Sequence, residues 1–368
     1  MIKQLKSITV NVIAGANVAV VLLMLAVGYS YRFSPADWPV LGWLGLTFPL
    51  FLLLNLAFLV FWVIFHWRKV WIPLVGFLFV YAPVRIYMPI NQDKEEPDSC
   101  IKVISYNVCT YGGNFKYEDG FGAVYGFLEE QQADIVCLQE DVDSWRRYVM
   151  NRYQKLYPYN DTTVFVNTVK SFNGVGIHTR FPILRKERLP LVTTANGATA
   201  YYLQLPTDTL LVLNVHLEGT HLTKDDRRMY QDLMKGGVKG EVRRDTMQAE
   251  SRYLLGKLAD AAQRRAAQAE LICDYIAAHR EYPILVCGDF NDSPISYVHY
   301  QVSQGLTDCF VESGRGLGLS YNQKGFPFRI DNILCSSEFE PLKCKVDSKI
   351  DFSDHYPMIC WLKMRDKP

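Results

Sequence analysis

The sequence predicts an α/β chain in two parts: a small transmembrane helical region, then one charge-rich domain of alternating strands and helices. Three observations carry this. Long charge-free apolar stretches are confined to the first 90 residues. Beyond residue 99, apolar runs of strand length alternate with segments of helical composition. Each of those apolar runs closes on, or next to, Asn, Glu, His or Asp.

Residues 8–31 and 40–65 carry no charge. A bilayer core needs about 20 apolar residues in a helix, and both stretches reach that length. A third run, 70–90, is interrupted by Pro73, Pro83 and Arg85. It is expected to cross with Arg85 at its edge, where a long basic side chain can reach water. Trp38, Trp43, Trp62, Trp67 and Trp71 cluster near the span ends, as interfacial aromatics do. Lys3 and Lys6 resemble the start of a signal peptide, but the apolar stretch is longer than a signal core and a second span follows at once. Three retained spans are therefore expected within residues 1–90. Residues 91–99 are polar, contain Pro97 and read as a linker.

Loop charges set the orientation. Lys3 and Lys6 precede the first span, Arg32 and Asp37 lie between the first and second, and residues 66–69 (His-Trp-Arg-Lys) are basic. Positive segments stay cytoplasmic, so the N-terminus and the 66–69 loop are inside and the first loop is outside. Three crossings then put residues 100–368 on the non-cytoplasmic side of a multi-pass protein. A re-entrant third run would put them in the cytoplasm, which the nine cysteines favour.

All nine cysteines lie after residue 99, with no CxxC pair, so a zinc site or small disulfide scaffold is a poor reading. Cys137 and Cys287 sit within apolar runs and read as small core residues; one or two disulfides stay open. Residues 100–368 hold 32 Lys/Arg and 33 Asp/Glu. That balance lacks the basic excess that gives general nucleic-acid affinity, although a local patch would suffice for a nuclease.

Strands are expected at 101–106, 134–139, 210–215, 283–288, 329–334 and 356–362, with helices at 120–132 and 241–280. The strand ends deliver Asn107, Glu140, His216, Asp289 and Asp331, and Asp354-His355 precede the last strand. Taken singly, each has a plain structural reading: an exposed strand end for Glu140, an Asx-turn for Asp289 and Asn291, a cap for Asp354. Five strands ending this way suggest one polar site at a shared rim. The set is mostly hard oxygen donors, which suits Mg²⁺ or Mn²⁺ over zinc. His216 and His355 are available for proton transfer or charge stabilisation.

The ordered series Ser105-Tyr106-Asn107, Leu138-Gln139-Glu140, Asn214-Val215-His216-Leu217, Gly288-Asp289-Phe290-Asn291, Arg329 to Ile333 and Ser353 to Pro357 resembles the endonuclease/exonuclease/phosphatase superfamily. The likeness spans roughly residues 100–365; single motifs are weak, but six in order are specific. It implies a DNase I-like four-layer α/β/β/α sandwich. It also implies roles: Glu140 as main metal ligand with Asn107 and Asp354 beside it, Asp289 aligning or deprotonating water, and Asn291 holding phosphate. His355 would contact phosphate, oriented by Asp331. His216 would be a second phosphate contact or leaving-group acid, with Asn214 on the substrate side. Cys109 stands where some DNA-repair members carry an acid, which argues against that branch.

The expected activity is membrane-anchored, metal-dependent hydrolysis of a phosphodiester or phosphomonoester, on a lipid head group or nucleic acid, with no protein partner inferred. An extracytoplasmic nuclease is the alternative. A non-catalytic membrane module is the third reading, and the complete motif set argues against it. The insertion 218–247 carries His221, Lys224, Arg227, Arg228, Lys235, Lys239, Arg243 and Arg244. It reads as a solvated helix pair, since acids balance its charge, or as a basic lid over the site.

Overall fold

The computed structural model describes residues 2–92, 94, 100–112, 119–141, 154–168, 171–193, 195–220, 222, 223, 225–229, 242–323 and 328–365. Most of the 91–99 linker and part of the 218–247 insertion, including His221, Lys224, Lys235 and Lys239, lie outside them.

The N-terminal region is helical. It comprises α1 (Ile2–Gly28), the short α2 (Leu41–Leu44), α3 (Phe48–Phe65), α4 (Trp71–Phe79) and α5 (Tyr81–Tyr87). The stretches Gln4–Arg32 and Leu41–Phe65 are long and apolar enough to cross a membrane. Leu5, Val12, Leu22, Leu53, Val63 and Phe65 turn outward, exposed. Polar groups go inward instead. Trp62 Nε1 donates to Asn17 Oδ1 at 2.9 Å, and Asn17 Nδ2 to Asn55 Oδ1 at 3.3 Å. Asn55 Nδ2 donates to the Pro73 carbonyl at 3.0 Å. Away from water such amides need partners, and here they tie α1, α3 and α4 together.

Two expectations change here. The third run is not a straight span: α4 and α5 are bent by 62°. α4 alone, at about 1.5 Å per residue, reaches roughly half a bilayer core. Arg85 pairs with Glu312 of the following domain at 3.1 Å. The second stretch is also less uniform than 40–65 suggested. Residues 41–47 form α2 and a 3₁₀ turn at Gly45–Thr47, folded against the following domain.

That domain holds twelve strands: β1 (Ile101–Asn107), β2 (Ile135–Gln139), β3 (Tyr159–Thr168), β4 (Ser171–Thr179), β5 (Ile183–Arg188), β6 (Gly197–Gln204), β7 (Thr209–His216), β8 (Ile284–Asp289), β9 (Thr307–Asp308), β10 (Asp331–Cys335), β11 (Phe339–Val346) and β12 (Met358–Met364). They form two six-stranded sheets, ordered β11-β12-β1-β2-β4-β3 and β5-β6-β7-β8-β10-β9. Only β1–β2 and β7–β8 pair parallel; the remaining neighbours are antiparallel.

The strand period of two builds the layers. Val103, Ile135, Cys137, Leu210, Val212, Leu285, Cys287, Ile333, Met358 and Cys360 meet in one core between the sheets. The alternate residues face outward. Ile104, Tyr106, Val136 and Leu138 pack with Val124, Phe127 and Leu128 of the helix Gly120–Gln131. Leu211, Leu213, Ile284 and Val286 pack with Ala269, Ile272 and Ile276 of the long helix Val242–Ala278. The result is the expected four-layer α/β/β/α sandwich. All nine cysteines are free thiols, six of them buried, so the disulfide option falls away.

Candidate active site

The inter-sheet alternation explains the site. Following 103, 105 down β1 leads to Asn107; following 285, 287 down β8 leads to Asp289. Likewise 210, 212 leads to Asn214 and His216, and 335, 333 leads back to Asp331. Apolar residues fill the middle of the layer and polar ones its end. Because β1/β2 and β7/β8 run parallel, their C-terminal ends coincide. β10 runs antiparallel with Asp331 opposite Asp289, so its first residue reaches the same rim. The strand there begins at Asp331, two residues later than the sequence pattern suggested.

Asp289 is the hub. Asn107 Nδ2 donates to its Oδ2 at 3.1 Å and to Glu140 Oε1 at 3.3 Å. His216 Nε2 and His355 Nε2 each stand 3.7 Å from Asp289 Oδ2. The Asn291 backbone N–H donates to Asp289 Oδ1 at 2.8 Å. His355 Nδ1 donates to Asp331 Oδ2 at 2.8 Å. Ser353 Oγ donates to the Asn107 carbonyl at 2.7 Å, bringing the neighbouring Asp354 to the Asn107 side. Tyr321, which the sequence did not single out, sets its ring 5.0 Å from that of His355.

Backbone strain concentrates here. Glu140 and Asn291 take left-handed φ values of 54° and 52°, and Cys109, Thr110 and Tyr111 do so in succession after Asn107. Each such non-glycine residue costs about 1 kcal/mol or more, so the surrounding packing must hold it. Gly288 is needed for another reason: its φ is +151°, and a Cβ there would overlap the Val215 backbone.

Electrostatics follow from burial. Burial pushes the Glu140 carboxyl up, and the Asp354 carboxylate pushes it further; His355 and the Asn107 hydrogen bond act against both. Burial also raises Asp289, opposed by His355. Burial lowers His216, outweighing Asp289, so its imidazole is held neutral. Burial lowers His355 too, but Asp331 and Asp289 override it and raise it to about 10, which keeps it an imidazolium.

Two groupings could hold a cation. Ligand-type atoms of Asp289, Asp331 and His355 lie within 4.8 Å of one another. There, however, His355 Nδ1 is already committed to Asp331. Glu140 and Asp354 are a half-buried carboxylate pair in which Asp354 destabilises the Glu140 anion, with the Asn107 amide beside Glu140. A hard divalent ion relieves that repulsion, so this set fits the metal better.

One expected site residue is displaced. Asn214 is fully buried behind the rim and does not line the cavity. Its Nδ2 donates to the Leu138 and Gly176 carbonyls at 3.0 and 2.7 Å, and its Oδ1 accepts from Gln139 at 2.7 Å. It bolts one sheet to the other, with no atom left for a substrate.

A cavity of about 440 Å³ opens over the hub. Glu140, His216, Asn291, His355 and Asn107 line it, together with Asn173, Asn196 and Tyr321, which carried no sequence signal. Arg227 of the insertion also lines it, whereas Arg265 is occupied by Asp292 at 3.0 Å.

This sandwich and rim define a DNase I-like fold with a polar, acid- and imidazole-lined centre. The chain belongs to the endonuclease/exonuclease/phosphatase family, whose model matches residues 104–355. A domain of unknown function matches residues 10–87. An endonuclease/exonuclease/phosphatase from Beutenbergia cavernae has a similar fold, with a TM-score of 0.52, 14% identity and 72% of each chain covered. The human Nocturnin catalytic domain with bound sulfate gives 0.50 at 17% identity, over 74% of this chain and 97% of that one. A mannosyl-6-phosphatase of Bacteroides thetaiotaomicron gives 0.50 at 17% identity, over 72% of this chain and all (100%) of its own. At such identities the likeness concerns fold. No curated protein matches the chain. The family's description covers nucleases and phosphatases, which hydrolyse phosphoester bonds.

Proposed function

We propose that this protein is a membrane-anchored, divalent-metal-dependent phosphoesterase that cleaves a phosphodiester or phosphomonoester by in-line attack of water. The observation that carries this is the Asp289 carboxylate gathered among Asn107, His216 and His355 beside Glu140. A Mg²⁺ or Mn²⁺ ion held by Glu140, Asn107 and Asp354 would neutralise charge on a phosphoryl oxygen. Asp289 aligns the attacking water and accepts its proton. His355, kept cationic by Asp331, donates to a phosphoryl oxygen as negative charge builds. His216, kept neutral, contacts the phosphate without adding a charge. Asn291 holds Asp289 through its backbone N–H.

Residues 41–47 touch the catalytic domain, which supports both lying on the same side of the bilayer, with α3 crossing between them and the 66–69 loop. With the basic 66–69 loop inside, this supports a non-cytoplasmic site.

The test is a panel of nucleic acids, phosphomonoesters and phospholipids, offered to the full-length protein with Mg²⁺, Mn²⁺ or EDTA. Turnover that EDTA abolishes and Mn²⁺ restores is expected. Turnover indifferent to chelation would refute the metal, and no turnover on any phosphoester would refute the reading.

A further inference from the structure

The active-site cavity has a wall that the family fold does not supply. Gly42, Trp43 and Leu46, from the segment between α1 and α3, line it directly. We propose that this wall receives the apolar part of an amphiphilic phosphoester, so that the substrate is a phospholipid-type molecule drawn from the membrane face. The inference rests on the phosphoesterase reading above and adds the substrate class.

The segment is built into the domain. A Cβ on Gly42 would lie 2.7 Å from that of Ala262 on the long helix, and one on Gly45 would overlap the Ile295 carbonyl. Neither glycine needs its backbone freedom; Gly42 is small because the Ala262 and Pro35 side chains press on it, Gly45 because it meets the Ile295 backbone. Ile295 in turn packs with Met24, Val27, Tyr31, Phe48 and Val80. Tyr31 and Tyr300 place their rings 5.3 Å apart. Thus the loop that begins at Asp289 and Asn291 ends buried among the N-terminal helices.

The cavity lining is mixed. Asp289, Glu140 and the histidines share it with Trp43, Leu46, Leu222, Leu254 and Leu258. The volume of about 440 Å³ far exceeds what a phosphate and its water need, since a water occupies about 30 Å³. Exposed apolar residues flank the segment in sequence: Trp38, Val40 and Leu50 are 61%, 60% and 55% exposed. An apolar chain lying in a bilayer would meet Trp43 and Leu46 as its phosphate reached Asp289. A nucleic-acid strand would leave this wall unused.

The test uses the full-length protein in mixed micelles, with phosphodiesters that share one head group and differ in acyl-chain length. Wild-type kcat/KM is expected to rise with chain length. Trp43→Ala and Leu46→Ala should lower it about tenfold on the longest chain, mainly through KM, and flatten the slope. Trp43→Phe should restore much of it. Trp67→Ala, exposed and outside both the cavity and the 38–50 segment, should keep the wild-type slope. A flat wild-type profile would overturn the proposal. So would an equal loss at every chain length in Trp43→Ala, or faster cleavage of single-stranded DNA than of any lipid. Absence of turnover on all phosphoesters would instead remove the phosphoesterase reading itself.

Discussion

Asp331 Oδ2 accepts a 2.8 Å hydrogen bond from His355 Nδ1, and the far nitrogen of that ring stands 3.7 Å from Asp289 Oδ2. One imidazolium is thus clamped between two buried carboxylates. Asp331→Asn keeps the shape but offers an amide where a charge stood. It should lower kcat about 10²-fold or more with KM little changed, because orientation and charge are lost after binding. Steady-state kinetics on the best substrate checks this; near-normal kcat would remove Asp331 from the mechanism.

Glu140 is a half-buried acid pressed by Asp354. Glu140→Gln should leave the metal-free protein as stable or more stable while removing its response to metal. For wild type, Mn²⁺ at about 100 times its dissociation constant should add about 2.7 kcal/mol. Thermal melting of the detergent-solubilised chain with Mn²⁺ or EDTA reads both effects. A full Mn²⁺ shift in the variant would move the metal elsewhere, with the Asp289, Asp331 and His355 group the next candidate.

Asp308 sits away from the chemistry, between His299 at 2.8 Å and Arg329 at 3.9 Å. Burial raises its pKa, but Arg329 and His299 outweigh burial and hold it down to about 2, from an ordinary 3.8. A depressed carboxylate stabilises the fold above its ordinary pKa, and that contribution vanishes as pH falls through about 2. It amounts to about 2 kcal/mol at most. Arg329, also buried, is pressed downward by its own desolvation, so the pair's net worth is smaller. Asp308→Asn should therefore be less stable than wild type at pH 7, and the gap should close toward pH 2. Melting curves across that range decide it; a gap that widens on acidification would contradict the assignment.

Asn214 makes three hydrogen bonds between the sheets. Asn214→Ala leaves buried partners unmatched, at about 1–3 kcal/mol for each group stranded. A lowered Tm with KM close to wild type is expected. A KM effect without a stability loss would return Asn214 to the substrate side.

How much of this was legible depended on which residues carry a pattern. β1, β2, β7, β8, β10 and β12 are apolar runs, and their ends deliver the rim, so the site could be read before the fold. β5 (Ile-Leu-Arg-Lys-Glu-Arg) is mostly exposed, β3 is rich in Asn, Asp and Thr, and β11 contains Pro341. Those strands exist because neighbours pair with them, a cause absent from local sequence. Asn196 and Tyr321 were silent because residues outside the strands have no period, and Asn173 because its strand, β4, carries no apolar run at that end. Asn214 was misplaced for the opposite reason: its motif pointed to the rim, while its depth in β7 was set by packing. Trp43 and Leu46 read as part of a span because composition cannot distinguish a lipid-facing side chain from a cavity-facing one.

The seam between the halves has a mechanical consequence. Arg85 grips Glu312, Asn91 Nδ2 donates to the Val311 and Gly314 carbonyls at 3.0 and 2.8 Å, and Gly45 lies on Ile295. An enzyme on a loose tether tumbles above its bilayer and meets substrate at any angle. Fastened at these three places, the domain keeps one orientation toward its own N-terminal helices, and so toward any bilayer those helices enter.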